Sequence, residues 1–205
     1  MHIFSKELLM DSKPVFRLSD ELSIKGSPTI TSDGFISNFS YDNFLRSVHN
    51  AEDLMSGIDY EINLKFKFYN ITTENGIFWT ATTVSGSSYD IIGVGITCES
   101  SRLYVYINTG SSTNLRSVYS PELTTDTWYT LNYKCYNYTH TFTGVINNSF
   151  STGNEPTCWN IHIPLKIGYG QRSSDALVMP MYGVIDLKET WIKSNGQYVI
   201  YNLSK

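Results

Sequence analysis

The sequence predicts an all-β protein, a sandwich or barrel of antiparallel strands, and three observations carry that prediction. In Asp59–Phe68 the residues Ile62, Leu64, Phe66 and Phe68 alternate with Glu61, Asn63, Lys65 and Lys67. A helix would scatter both sets around its surface, whereas a strand puts one on a core and the other in water. Similar short runs recur at roughly ten-residue spacing with Ser/Gly-rich turns between them, the rhythm of an antiparallel sandwich. Near the end of the chain, in "YGVIDLKETWIKSNGQYVIY" (182–201), Asn195-Gly196 interrupts a period-two run. Asn-Gly supplies the positive φ angles of a tight hairpin turn.

Taken in order, residues 1–20 precede the regular pattern and read as an N-terminal arm or an extra edge strand, leaving 21–205 for the sandwich. "SKELLMDS" (5–12) and "NAEDLMSG" (50–57) are the two places where a turn or two of helix is expected. After Asp59–Phe68 come "GIFWTATTV", "DIIGVGITC" and "RLYVYIN", separated by turns at 85–88 and 99–101. The paired glycines Gly93 and Gly95 lie inside one of these strands, where they allow close packing rather than cradle a phosphate. In 127–136, Tyr129, Leu131, Tyr133 and Cys135 share one side, and "THTFTGVINNSF" pairs with this strand across a turn near Asn137. The closing stretch is expected to place Ile185, Leu187 and Trp191 on one face and Asp186, Lys188 and Thr190 on the other. No internal repeat or long linker divides the chain.

The 205 residues are 41% hydrophobic and only 17% charged, the balance of a globular domain with one sizeable core. Fifteen tyrosines suit both pleated sheets and contact surfaces. A net charge of -4 without a dense Lys/Arg cluster argues against nucleic acid as a partner. No run approaches the roughly 18 to 20 apolar residues of a membrane span, and "MHIFSKELLMDSK" lacks the form of a signal peptide. Cys98, Cys135 and Cys158 have no metal-ligand spacing and read as buried or half-buried thiols of a reducing compartment. Sequons such as Asn70-Ile71-Thr72 carry little weight in so Asn- and Thr-rich a chain.

Several stretches are similar to laminin-G-like domains. "TDTWYTLNYKCYNYTHTFTGVINNSF" resembles the family's Trp-led strand and hairpin, with Asn147-Asn148 where the family often has a "DG" turn. "IPLKIGYG" (163–170) is similar to the family's strand ending in Ile-Gly, and "MYGVIDLKETWI" to its closing Gly-x-Ile-Asp strand. "SPTITSDGFISNFSYDNFLRS" resembles the first strands. The resemblance spans about residues 25–201 and implies a concanavalin A-like jelly roll, two antiparallel sheets packed face to face with one concave. The closing hairpin resembles laminin-G-like domains of bacteriophage virion proteins. That likeness implies a virion component made in the host cytoplasm, with other virion proteins as partners and self-association into a homo-oligomer allowed.

Concanavalin A-like folds include glycoside hydrolases, of which the retaining ones hold two carboxylates about 5 Å apart. Residues two apart on a strand share a face at roughly 6 to 7 Å, so an acid-x-acid strand is the feature to seek. Asp59 and Glu61 have that spacing but stand opposite an apolar face and read as solvated charges. Asp186 and Glu189, three apart, fall on opposite faces of a strand. The lyases of this fold resemble one another in an Arg-x-Glu and a Gln-x-His strand. Here Arg102 is followed by Leu103-Tyr104, and Asn160-Ile161-His162 is an imperfect echo. The four histidines show no nucleophile pattern. The chain is expected not to be an enzyme.

Binding is therefore expected at the sandwich rim, and the candidates are Tyr89, Asp90, Trp159, Tyr169, Arg172 and Asp175. Sugars stack on aromatic rings beside directing polar groups, which Tyr89, Trp159 and Tyr169 offer from polar loops. Asp90 and Asp175 are too sparse for a strong calcium site, since hard cations prefer several oxygen ligands. No cofactor is expected beyond a weak calcium at the rim. Trp79, Trp128 and Trp191 are expected in the core. The expected function is non-catalytic binding of a host-surface glycan or receptor, with a purely structural assembly role as the alternative and a polysaccharide-degrading enzyme disfavoured.

Overall fold

The structure is a computed structural model that describes residues 16–55, 57–80, 82–83, 91–109, 115–153, 157, 161–171 and 178–204. Asp59–Phe68 shows why the chain folds as it does. Its exposure alternates without a break, and Ile62, Leu64, Phe66 and Phe68 are all fully buried. Each such side chain contributes about 1.5–3 kcal/mol on leaving water. Trp128–Tyr136 lies antiparallel along one edge of this strand, with Leu131 opposite Leu64 and Tyr133 opposite Ile62. Gly183–Asp186 and Trp191–Ser194 occupy successive halves of the other edge.

That strand is the centre of one large antiparallel sheet. Across it the order is Asn148–Ser151, Thr139–Gly144, Trp128–Tyr136, Asp59–Phe68, Gly183–Asp186, Phe35–Ser37 and Thr29–Ile30, with the hairpin of Trp191–Ser194 and Gln197–Ile200 completing it. The second large sheet runs Arg116–Glu122, Arg102–Thr109, Ile91–Glu99, Asn75–Trp79, Pro164–Ile167, Phe44–Asn50 and Leu22–Lys25, with Thr82–Thr83 beside Ile91–Glu99. The inward faces of both share one hydrophobic core, so the protein is a sandwich of two antiparallel sheets. Phe16–Arg17 pairs with Leu203–Ser204. The expected helical turn after Asn50 is Ala51–Leu54; the one expected at 5–12 lies outside the described residues.

Three two-residue hairpin loops have positive φ at both central residues: Ser100-Ser101, Asn137-Tyr138 and Asn195-Gly196. This backbone matches the twist of the flanking strands. Gly95 serves a different purpose: a Cβ there would lie 2.4 Å from the Trp79 ring, so the missing side chain leaves room for the indole to lie across its neighbour strand. One expectation fails in the closing stretch. The alternation between Ile185 and Trp191 is broken by a 3-10 turn, Leu187–Glu189. Leu187 and Ile192 enter the core, Trp191 is only half-buried, and Asp186 and Thr190 are buried too. Asp186 accepts a hydrogen bond from the Lys188 backbone N–H at 3.1 Å. It stands at the turn's N-cap, where a short acceptor satisfies an otherwise orphaned donor.

Candidate functional site: the aromatic and lysine face of one sheet

The outward residues of Asp59–Phe68 and Trp128–Tyr136 meet in register: Lys67 with Trp128, Lys65 with Thr130, Asn63 with Asn132, Glu61 with Lys134 and Asp59 with Tyr136. Cross-strand neighbours of this kind stand close enough for their side chains to touch. Trp128 is 39% exposed. The Lys67 and Lys65 ammonium groups lie 5.5 and 5.8 Å from its ring centroid, and the Phe35 ring is 5.6 Å away. Lys67 also reaches the Tyr69 ring, and Lys188 the Phe35 ring. Further along the face, Lys193 sits 4.6 Å from the Trp191 ring and 4.7 Å from that of Tyr198. Beyond it a depression of about 400 Å³ is lined by Lys134, Tyr136, Asn137, Thr139 and Thr141.

The carboxylates on this face are held by its own cations and amides. Asp186 pairs with Lys65 at 3.3 Å, Asp126 with Lys67 at 3.9 Å, and Glu61 accepts from Asn132 Nδ2 at 2.9 Å. Polar side chains behind the face fix its ends. Buried Asn75 donates to the carbonyls of Asn70 and Thr73 and accepts from the Tyr182 N–H, tying the loop after Tyr69 to the neighbouring strand. Asn202 donates to the Leu187 and Thr190 carbonyls and so pins the 3-10 turn that carries Lys188. The result is a rigid array of rings with ammonium and amide donors between them, the combination that grips a sugar's apolar face and its hydroxyls.

Chemistry of other kinds finds little footing among the described residues. No three His, Cys, Asp or Glu side chains gather there as a ligand set for a metal. Cys98 and Cys135 are buried free thiols, and burial pushes both up to about 12, which leaves them protonated and inert. His162 pairs with Glu52 at the surface, and Arg102 lies 3.4 Å from Glu122 on the edge strand. His140 is buried inside the sandwich, 2.8 Å from the Tyr133 hydroxyl and 3.2 Å from Thr152 Oγ1.

Of the residues singled out from sequence, Tyr89, Asp90, Trp159, Arg172 and Asp175 lie outside the described residues. Tyr169 stands in strand Tyr169–Gln171 rather than in a loop, and only 6% of it is exposed. Its ring packs against Phe44, with centroids 4.8 Å apart, and Lys166 covers it. Trp79 is buried, as expected. Trp128 is a correction: its place within a strand predicts a core position, yet it faces outward. The missed signal was in the alternation itself, because the register that turns Tyr129, Leu131, Tyr133 and Cys135 inward turns Trp128, Thr130, Asn132, Lys134 and Tyr136 outward.

No protein-family model and no curated protein matches the chain. Solved structures do. The binding domain of botulinum neurotoxin DC, in complex with rat synaptotagmin II, superposes with a TM-score of 0.60 at 8% identity, over 92% of this chain and 49% of that one. Domains LG4-5 of the mouse laminin α1 chain give 0.57 at 15%, over 89% and 46%. The CBM40 of Ruminococcus gnavus IT-sialidase, bound to α2,3-sialyllactose, gives 0.51 at 9%, over 63% and 72%. The chain thus spans about half the length of the toxin and laminin chains. At such low identity the likeness establishes the fold, a laminin-G-like jelly roll of the kind found in carbohydrate- and receptor-binding domains.

Proposed function

We propose that the protein is a non-catalytic binding module that holds a glycan across the outward face of its Asp59–Phe68 sheet. One observation carries this reading: Trp128, a large apolar ring, is left 39% exposed between two lysines on a face where every other outward residue of its strand is polar or a tyrosine. A ring so placed adds nothing to the core and much to a sugar platform. The fold supports the same reading, since the similar domains include one bound to a sialylated trisaccharide and one bound to a protein receptor.

The test is a glycan array followed by titration calorimetry on the best uncharged hit, with wild type and Trp128→Ala compared. Trp128→Ala should weaken binding by about tenfold or more while the protein stays folded, its loss of stability limited to the ring's surface contacts with Phe35, Lys65 and Lys67. An array without hits, or a variant that binds as well as wild type, would overturn the proposal. The further reading, that the module belongs to a bacteriophage virion and meets a host-surface glycan, is supported by the resemblance of 182–201 to virion laminin-G-like domains. Mass spectrometry of purified particles should find peptides of this chain in stoichiometric amount; their absence would remove it from the virion.

A further inference from the structure

The outward face of the other sheet carries an arrangement that folding alone leaves unexplained. Strand Pro164–Ile167 lies between Phe44–Asn50 and Asn75–Trp79, and Lys166 is the direct cross-strand partner of Arg46 on one side and of Trp79 on the other. Like charges directly opposite one another destabilise a sheet. Among the described residues, neither cation has a carboxylate within ion-pair distance. The acids of the neighbouring strand segments are engaged elsewhere, Glu21 with His49 and Glu52 with His162. Lys25, the cross-strand partner of Phe44, adds a third cation to the same face. Among the described residues, then, these three cations share one face with no ion-paired carboxylate, in a chain whose net charge is -4.

Lys166 is also held in place. Phe44, Trp79 and Tyr169 form a small buried cluster separate from the main core. The Lys166 ammonium lies 4.0 Å from the Tyr169 ring centroid and 5.8 Å from that of Phe44. The two rings hold the charged head by cation–π contact, while burial lowers the lysine's pKa. A half-buried lysine directly across the strands from an exposed arginine offers a donor set matched to an oxyanion: the guanidinium can grip two oxygens at once and the ammonium supplies a point charge.

We propose that Arg46 and Lys166 form an anion receptor, on the face opposite Trp128, for the carboxylate or sulfate group of an acidic sugar. The choice of a sugar as the bearer of that group rests on the glycan-binding reading above; the anion site rests on two cations paired across strands with no carboxylate partner among the described residues. Its test compares lactose, 3′-sulfolactose and 3′-sialyllactose as probes of wild type, Trp128→Ala, Arg46→Gln and Lys166→Met by calorimetry and thermal unfolding. In wild type and in Trp128→Ala at least one acidic sugar should bind about tenfold or more tightly than lactose, and in Arg46→Gln and Lys166→Met that preference should vanish. Without ligand, Arg46→Gln should unfold at a higher temperature than wild type, because it removes a like charge from the position across the strands from Lys166. A response to sulfolactose alone assigns the site to sulfate, and to sialyllactose alone to carboxylate. Unchanged acidic preference in both sheet variants, or no response of wild type to either acidic sugar, would overturn the proposal. Loss of array binding in Trp128→Ala with this preference absent would leave the glycan-binding reading standing alone.

Discussion

His140 is the most consequential single side chain in the interior. Its ring is fully buried and stacks on Phe150 with centroids 5.0 Å apart. With Tyr133 donating its hydroxyl proton to Nδ1, the neutral ring donates from Nε2 to Thr152 Oγ1, so both nitrogens are satisfied without a charge. Tyr133 in turn meets the Tyr60 hydroxyl, which lies 2.7 Å from Thr157 Oγ1. Burial pushes the His140 pKa down to about 4. Because the folded value is depressed, the unfolded chain takes up the proton first as pH falls. The stabilisation is complete above about pH 6.5, declines below it and is gone once pH passes through about 4, a loss of roughly 3 kcal/mol. Urea unfolding between pH 7 and pH 4 should show this slope in wild type, and His140→Gln should flatten it. An equal slope in both proteins would exclude the residue as its source.

At the scale of elements, the closing segment shows how sequence and surroundings divide the work. The Asn195-Gly196 turn is decided locally: φ is 49° at Asn195 and 74° at Gly196, and a Cβ at Gly196 would meet nothing within 4 Å. Gly196→Ala should therefore cost only the backbone strain of the left-handed region, about 1 kcal/mol, with native glycan affinity retained. Equilibrium unfolding gives the number; a loss above about 3 kcal/mol would mean that the hairpin packs more tightly than its open surroundings suggest. The 3-10 turn at Leu187–Glu189 depends on tertiary contacts, since Asn202 and Lys65 hold its two ends. A trace was nonetheless present in the sequence. Asp186 and Glu189 stand three apart, the spacing of a capping box, and were taken for opposite faces of a strand.

Across the whole molecule, two sheets close over one core, and each presents an outward face of its own: Trp128 between Lys65 and Lys67 on one, Arg46 across the strands from Lys166 on the other. Local sequence determined the strand character of Asp59–Phe68 and Trp128–Tyr136, their hairpin turns and the all-β architecture. Alternation and turn chemistry act over a few residues, so they can be read from a string. Only the tertiary structure decided that Trp128 stands open beside Lys65 and Lys67, that Tyr169 is buried against Phe44, and that Lys166 faces Arg46. Lys65 and Trp128 are 63 residues apart in the chain, and Arg46 and Lys166 are 120 apart. Such neighbours are created by strand order and register, which no local pattern records.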